Sequence, residues 1–440
     1  MRLSGKISRK DNFHINLLAS KDDSRYNFES DTGKFYNVQS NDTRKQIGTS
    51  AVYNRFFKNG IYTKTVLSYS KLESAYDFDE TYSNPDNTSD NYSINSLTTN
   101  LISELNIKQV FFYPAKGIHK FSLSAEYYRN TASYQNDTNY FNVKDYTTNA
   151  NRLGLFAKDN ISLFGKMSIQ AGIRLDYQLK SNKLYLQPRL SANFDITKKI
   201  RLNAAIGKYN QFLNTSMIYN PSKTSFSIWE IIDTEKQGAT SAMHYTLGMS
   251  FNKSPIKINV EGFYKTIQNI YGYNTSNKDK DLFRIKGKAK IAGVDFYLKT
   301  QLGKHEFWVA YTLSESLQNF DYFETYEYKP APQNQTHELK GAAILNFSPL
   351  YFSANYVYGS GLEFTRSIKS GDPIPYNRLD VATMYKITIR KVNYQLGLSV
   401  LNVFNTYNVK YTNTINLPDE KSVYSQSIPF TILINLYIGF

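Results

Sequence analysis

Residues able to act on a substrate are scattered along this 440-residue chain. The five histidines, His14, His119, His244, His305 and His337, stand at no metal-ligand spacing, and no HExxH occurs. There is no GxSxG elbow for a serine nucleophile, and neither GxGxxG nor a phosphate-binding loop is present. The chain has no cysteine, which removes disulfides, thiolate metal sites and thiol nucleophiles together. Carboxylates are plentiful, but no spacing singles out an acid/base dyad. NKDKD (277–281) begins like a calcium loop and lacks its central Gly and terminal Glu. The acidic run through Asp77, Asp79, Glu80, Asp86 and Asp90 reads as a solvated loop first and a cation site second. The expectation is therefore no enzyme, no cofactor and no metal centre.

Two ion pairs and two aromatic segments carry more information. Arg174 and Asp176, and likewise Arg378 and Asp380, stand two residues apart. On a strand such pairs share one face, where they form ionic rungs along a wall or hold a body packed against it. SMIYNPSKTSFSIWE (216–230) and NFDYFETYEY (319–328) are rich in Tyr, Phe and Trp. Aromatic rings combine large contact area with a polar handle, so both segments are candidates for ligand capture.

Strands must position these groups, and period-two alternation recurs along the chain. In SIQAGIRLDY, Ile169, Ala171, Ile173, Leu175 and Tyr177 oppose Gln170, Gly172, Arg174 and Asp176. HKFSLSAEY, KINVEGFY, EFWVAYTLS and NRLDVATMYKI follow the same rule, with charge confined to one side. The chain ends in IPFTILINLYIGF, where Phe430, Ile432, Ile434, Leu436, Ile438 and Phe440 form one apolar face. Tight connections such as FFKNG, LFGKM, ITKKI and NKSP take turns with long polar stretches at 72–92, 131–150, 212–238, 271–283, 319–335 and 406–426. Short turns on one side and long loops on the other are the signature of a membrane barrel, and a Greek-key sandwich has no reason for them. One link, LKSNKL near 179–184, is short where a long loop is due. Counting back from Phe440 gives about 19 strands of roughly 8–15 residues, against a crossing need of about 9–11.

Bulk composition agrees. Aromatic residues make up 15% of the chain, with 37 Tyr and 28 Phe, and such residues favour strands. The formal charge of +15 is spread over short turns rather than gathered in a basic block, which argues against nucleic acid. A mean hydropathy of −0.49 looks soluble, but a barrel's lumen and loops are polar and its strands give a weak signal. No run of about 18 apolar residues occurs, so no transmembrane helix is expected.

Lipid tolerates no unpaired sheet edge, so a spanning sheet must close. The expected fold class is all-β: a large antiparallel outer-membrane barrel, or most of one, in a single domain over 1–440. The terminal strand would then turn its Phe430-to-Phe440 face to lipid, with Phe430 and Phe440 near the two interfaces.

The C-terminal half resembles the barrel of TonB-dependent receptors of the Gram-negative outer membrane. AGIRLDY (171–177), QPRLSANF (187–194), IRLNAAIGKYNQF (200–212), HYTLGMSF (244–251) and INVEGFYKTIQNIY (258–271) carry the likeness in order. IAGVDFYLK (291–299), VAYTLSES (309–316), THELKGAAILNF (336–347), YVYGSG (356–361), YNRLDVATMY (376–385) and LSVLNVFN (398–405) continue it into the final strand. The resemblance implies a 22-stranded barrel filled by a plug, uptake of a scarce nutrient (an iron chelate, vitamin or oligomer), and location in the cell outer membrane. It also implies that outer-membrane lipid, the barrel-assembly machinery and an unknown small ligand are partners. This sequence shows no signal peptide, plug or energy-coupling box. It is therefore expected to be a C-terminal fragment, a truncated product or half of a split receptor, about 19 of 22 strands. The energy-coupling protein TonB would act only through a plug missing from this chain. The alternatives are a passive channel or lipid-type transporter barrel, and a soluble or surface-attached β-rich binding protein.

Overall fold

The structure is a computed structural model that describes residues 2–439 apart from 32–33, 59, 115–116, 139–144, 220–224, 276–281, 322–326, 366–370, 391 and 417–421. The first strands are β1 (Arg2–Lys6), β2 (Asp11–Asp31), β3 (Phe35–Phe56), β4 (Tyr62–Ser83), β5 (Tyr92–Tyr113), β6 (His119–Thr138), β7 (Tyr146–Leu163) and β8 (Met167–Gln178). Next come β9 (Lys183–Asp195), β10 (Ile200–Gln211), β11 (Leu213–Tyr219), β12 (Ser225–Ile231), β13 (Thr240–Lys253), β14 (Ile256–Thr275), β15 (Leu282–Leu302) and β16 (His305–Phe320). The last are β17 (Lys329–Pro330), β18 (His337–Phe347), β19 (Leu350–Gly359), β20 (Tyr376–Ile389), β21 (Val392–Leu401), β22 (Val409–Asn416), β23 (Ser422–Gln426) and β24 (Thr431–Gly439).

Twenty of these form one sheet, and β17 is only a two-residue strand beside β16. The other nineteen are paired antiparallel with their neighbours, in chain order, from β1 to β24. The expected count of about 19 therefore holds. Because direction alternates, β1 and β24 run the same way. The remaining four strands make two small hairpins, β11–β12 and β22–β23.

Register keeps the two faces apart. Leu155 lies opposite Leu175, while Phe156 lies opposite Arg174. At the far end Leu398 opposes Ile434 and Leu396 opposes Leu436. The apolar face is open: Ile434 is 75% exposed and Leu436 65%, with Leu123, Leu155, Leu190, Leu247 and Val294 exposed as well. A soluble sandwich would bury these side chains under a second sheet, and among the described residues no such sheet covers them. The chain is a transmembrane β-barrel wall, as its alternation foretold.

Short links at 7–10, 57–61, 164–166, 196–199, 254–255, 303–304 and 348–349 all fall at one end of the sheet. The opposite end carries the longer links and two short ones, at 32–34 and 179–182. Only the second of these short links was legible as an exception.

The N-terminal strands are longer than their sequence suggested. Strands β2 to β7 run to 18–22 residues, and much of 72–92 and 131–150 is strand rather than loop. Alternation continues beyond the apolar band with water, not lipid, on the outside. Asp77 and Asp79 point out, while Tyr76, Phe78, Glu80 and Tyr82 are buried. There Glu80 accepts hydrogen bonds from the hydroxyls of Tyr36 (3.0 Å) and Tyr92 (2.7 Å), which offset the cost of burying a carboxylate.

Candidate functional site

The site is built by a segment that leaves the wall. After Gln211 the chain turns onto the polar face, makes the β11–β12 hairpin, and returns to β13. Its base is closed by the amide of Ile232, which donates to the carbonyl of Phe212 at 3.0 Å. Leu213 pairs with Ile231, and the register runs without a bulge to Tyr219 and Ser225. Strand β12 lies against β5, β6 and β7, whereas β11 lies against β14. Four wall strands, β8, β9, β10 and β13, stand between β7 and β14 in the sheet. The hairpin is therefore a chord across a curved wall.

Polar contacts fix it at both ends. The Asn100 side chain of β5 donates to the carbonyl of Trp229 (2.9 Å) and accepts from its amide (2.7 Å). It thus takes the part of a neighbouring strand for one residue. Glu230 is buried and accepts from Ser216 Oγ (2.7 Å) and Asn214 Nδ2 (3.2 Å), and it pairs with Arg284 of β15. Arg284 also donates to Gln237 Oε1 at 2.6 Å. At the root of the hairpin, the Arg152 guanidinium lies between the rings of Tyr128 (4.1 Å) and Phe212 (4.5 Å).

Beneath this strap, toward the short-turn end, the wall and hairpin border an open cavity of about 650 Å³. That is within the usual range for small-ligand sites. Trp229, Leu213 and Asn214 come from the strap. The wall contributes Glu104, Asn130, Arg152, Tyr209, His244 and Lys265 among others. Several charges are already satisfied. Glu104 accepts from Asn130 at 2.9 Å, and Arg152 donates to Asp176 at 2.9 Å. Tyr209 lies between the Arg189 guanidinium (4.4 Å) and the His244 ring (4.7 Å). Lys265 has no carboxylate within ion-pair distance among the described residues. The lining thus offers an ammonium, an imidazole, amides and aromatic rings: a surface for a polar ligand with acceptor groups, not a reactive centre.

Arg174 and Asp176 belong to a larger cluster on the polar face beside this cavity. Asp176 is fully buried and accepts from Arg174 Nε (2.8 Å), Arg174 Nη2 (3.0 Å), Arg152 Nη1 and Gln187 Nε2. Arg174 Nη2 also reaches Glu126 Oε2 at 2.8 Å. Glu126 in turn binds Lys108 (2.6 Å) and Tyr128 Oη (2.5 Å). The network joins β5 through β9. It needs Gly154, where a Cβ would come within 2.9 Å of Arg174 Nη2 and 3.1 Å of Asp176 Oδ1. The second pair is distinct. Arg378 Nε donates to Asp380 Oδ1 at 2.8 Å, and Asp380 also accepts from the amide of Asn402, tying β20 to the connection after β21. Both pairs lie on the face opposite the apolar one.

The other sequence candidates do not converge. His119 pairs with Asp159 (2.6 Å), His337 meets Tyr311 (2.8 Å), and His305 accepts from the amide of Asn346 (3.1 Å). The acidic run is split between faces, with Asp77 and Asp79 outside and Glu80 inside. No group of three or more His, Asp or Glu able to hold a metal occurs among the described residues. NKDKD, Phe440 and the central parts of both aromatic segments lie outside the described residues. The 216–230 segment proves to supply most of the strap. Its aromatic content was visible, but its inward course was not. Nothing local marks Asn100, which lies 129 residues from its partner.

Residues 4–403 match the family described as TonB dependent receptor-like, beta-barrel. No curated protein matches the sequence. The fold is similar to that of the outer membrane transporter YddB from Escherichia coli (TM-score 0.60, 9% identity, 99% of this chain and 74% of that one). It is also similar to the FrpB iron transporter from Neisseria meningitidis (0.57, 11%, 100% and 78%). A third similar structure is the siderophore receptor PirA from Acinetobacter baumannii (0.55, 11%, 92% and 73%).

Proposed function

Since the chain belongs to the TonB-dependent receptor β-barrel family and so to the cell outer membrane, we propose that it forms the wall through which a scarce nutrient is taken up, an iron chelate before a vitamin or an oligomer. The observation that carries this reading is the roofed cavity on the polar face. It combines Lys265, an ammonium with no ion-pair partner among the described residues, with amides and aromatic rings, groups suited to a chelate's oxygen acceptors and flat body. Similar folds in an iron transporter and a siderophore receptor support the choice.

The apolar face meets outer-membrane lipid, and the Phe430, Ile432, Ile434, Leu436, Ile438 and Phe440 face of the last strand is what the barrel-assembly machinery would engage. On the opposite face, β18 to β24 present Ile344, Met384, Leu433 and Tyr437, all exposed. Such an apolar patch inside a wet lumen fits a packed body such as a plug, through which TonB would act. Nineteen alternating strands leave β1 and β24 parallel, so an odd number of further strands keeps every seam antiparallel. Three would complete the 22 of large outer-membrane transporters.

The test is uptake of a radio-labelled ferric chelate by cells carrying the full gene, with and without an energised inner membrane. Energy-dependent uptake that falls in Lys265→Ala supports the reading. Energy-independent flux supports the passive-channel alternative, and recovery without detergent supports the soluble one.

A further inference from the structure

We propose that the short-turn end of the barrel is a binding rim for acidic phospholipid, whose turns hold the anionic headgroups of the leaflet they face. The proposal needs only the membrane-spanning wall and is independent of what passes through it.

The short links differ from the rest of the chain in charge. They hold Lys58, Lys166, Lys198, Lys199, Lys304 and the Arg9–Lys10 pair, and no Asp or Glu. At the opposite end the signs are mixed: Asp86 and Asp90 lie in the link 84–91, and Asp233, Glu235 and Lys236 in the link 232–239. The turn cations are exposed. Among the described residues none of them has a carboxylate within ion-pair distance, because the carboxylates nearest the rim are held elsewhere. Asp159 pairs with His119 (2.6 Å), Asp195 with Arg201 (2.5 Å) and Glu306 with Lys299 (2.7 Å), and Asp11 accepts from Ser8 Oγ (2.6 Å) and Tyr53 Oη (2.7 Å). Successive short turns are two strand spacings apart, about 10 Å across the strands. The screening length at 0.1 M salt is also about 10 Å, so neighbouring turns reinforce one another. Charge is densest where two turns lie side by side. The amide of Asn252 donates to the carbonyl of Lys199 at 2.8 Å, which brings Lys198 and Lys199 beside Lys253.

The same turns present apolar side chains to the outside. Ile7 (67% exposed) precedes Arg9, Phe57 precedes Lys58, Phe164 (92% exposed) precedes Lys166, Ile196 precedes Lys198, and Leu302 precedes Lys304. Phe164 also sits in the left-handed region (φ +50°), which bulky residues rarely adopt. In water such a ring gains nothing from its position. At a bilayer surface the pairing of types is complementary: the ring or alkyl group enters the edge of the acyl chains, and the ammonium beside it stays at the level of the phosphates. Short turns of outer-membrane barrels face the periplasm, so the rim meets a phospholipid leaflet. A zwitterionic headgroup brings its own cation and leaves the charge of the rim uncompensated, whereas a headgroup with net negative charge neutralises it. Each basic side chain near an anionic surface favours the acidic lipid by about fivefold.

Because the chain has no cysteine, a single thiol at Ile256→Cys can carry a fluorescent label at the rim. Ile256 is exposed and lies opposite Lys253. The full-length protein is reconstituted into phosphatidylcholine vesicles that contain a minor fraction of lipid with brominated, quenching chains, either phosphatidylglycerol or phosphatidylcholine. Quenching should report about fivefold enrichment of the acidic lipid over the neutral one at the label. The preference should shrink in 1 M salt, where the screening length falls to about 3 Å. Lys198→Gln, Lys199→Gln and Lys253→Gln together bring the two lipids to parity, while arginine at the same three positions keeps the preference. The three side chains are exposed, and heat-modifiable gel mobility certifies that each variant is folded. A second label, at Phe164→Cys, reads depth: brominated chains should quench it well and aqueous iodide poorly. Equal quenching by the two brominated lipids overturns the proposal, as does an acidic-lipid preference that survives the glutamine variant. Free access of iodide to the label at position 164 overturns it too, since the turn is then in water. No nutrient is present in these measurements, so their outcomes are separate from failure of the uptake assay.

Discussion

Replacing Asp176 by Asn tests how the polar wall is held together. The carboxylate is fully buried and accepts from both Arg174 and Arg152 as well as from Gln187. The amide keeps the shape, loses the charge, and turns an NH2 group toward guanidiniums that have nothing to accept it. Removing one partner of a buried ion pair costs about 3–5 kcal/mol, chiefly because the other charge is left stranded. Glu126 still holds Arg174 at 2.8 Å, which places the expected loss at the low end, about 3 kcal/mol, or roughly a hundredfold in the folded-to-unfolded ratio. The assay is denaturant unfolding of the full protein in lipid vesicles, followed by gel mobility and tryptophan fluorescence. Asp195→Asn supplies the internal standard. Its partner Arg201 is equally close, at 2.5 and 3.0 Å, but both side chains are more than a third exposed, and exposed pairs contribute about 0–1 kcal/mol. If Asp176→Asn costs no more than Asp195→Asn, the cluster is not a structural tie and the reasoning fails.

Gly154→Val pushes a branched side chain into Arg174 and Asp176 and should cost about as much as Asp176→Asn, with little added cost when the two are combined, as shared partners require; full additivity in denaturant unfolding argues against a common cause. Ile434→Lys places an ammonium on the most exposed apolar position of the final strand, where a charge facing mid-membrane costs roughly 2–4 kcal/mol. Folded yield in the outer-membrane fraction should fall, while Asn435→Lys, one residue on and facing the lumen, should be tolerated. At the outer end of β5, well beyond the apolar band, burial pushes the Tyr92 phenol up, and its hydrogen bond to Glu80 adds to the rise. A raised phenol contributes stability that is complete below the ordinary tyrosine pKa of about 10 and is lost as pH climbs through the higher folded value. The wild-type minus Tyr92→Phe ultraviolet difference should therefore titrate well above pH 10, and a midpoint at 10 refutes the part-buried Tyr92–Glu80 contact.

Much of the wall was legible because lipid and lumen impose opposite demands on successive residues. Arg174, Asp176, Arg378 and Asp380 could be assigned to one face, and Ile432, Ile434, Leu436 and Ile438 to the other, from period two alone. The same rule explains what was misjudged. Beyond the membrane both faces are polar, so Asp77 and Asp79 read as loop although Tyr76 and Phe78 keep the alternation and bury their side chains. Nearest-neighbour pairing was legible too, since antiparallel strands joined by short turns lie side by side. Contacts across the lumen were not. Asn100 and Trp229, or Phe212 and Arg152, meet only because the wall curves, and curvature has no local signature. The site was visible only in part for this reason: the 216–230 segment stood out by its aromatic residues, while the wall residues it meets, such as Asn100 and Lys265, carried no local mark.

The distribution of charge on the inner face bears on how such a conduit can work. A ligand must bind well enough to enter and weakly enough to leave, and a passage lined with free guanidiniums would trap an anion. Here Arg152 and Arg174 face Asp176 and Glu126, and their rings of contact, Tyr128 and Phe212, cover what the carboxylates leave open. The cluster thus spends its charge internally and presents an ionic but nearly neutral surface. Lys265 stands apart, under the strap and beside His244. An ammonium with no ion-pair partner among the described residues gives one place of residence on this face. If the cluster were instead the binding site, Asp176→Asn would uncover two guanidiniums and tighten chelate binding. If residence is at Lys265, Lys265→Ala lowers affinity and Asp176→Asn does not tighten it, a contrast that equilibrium binding to the purified protein resolves.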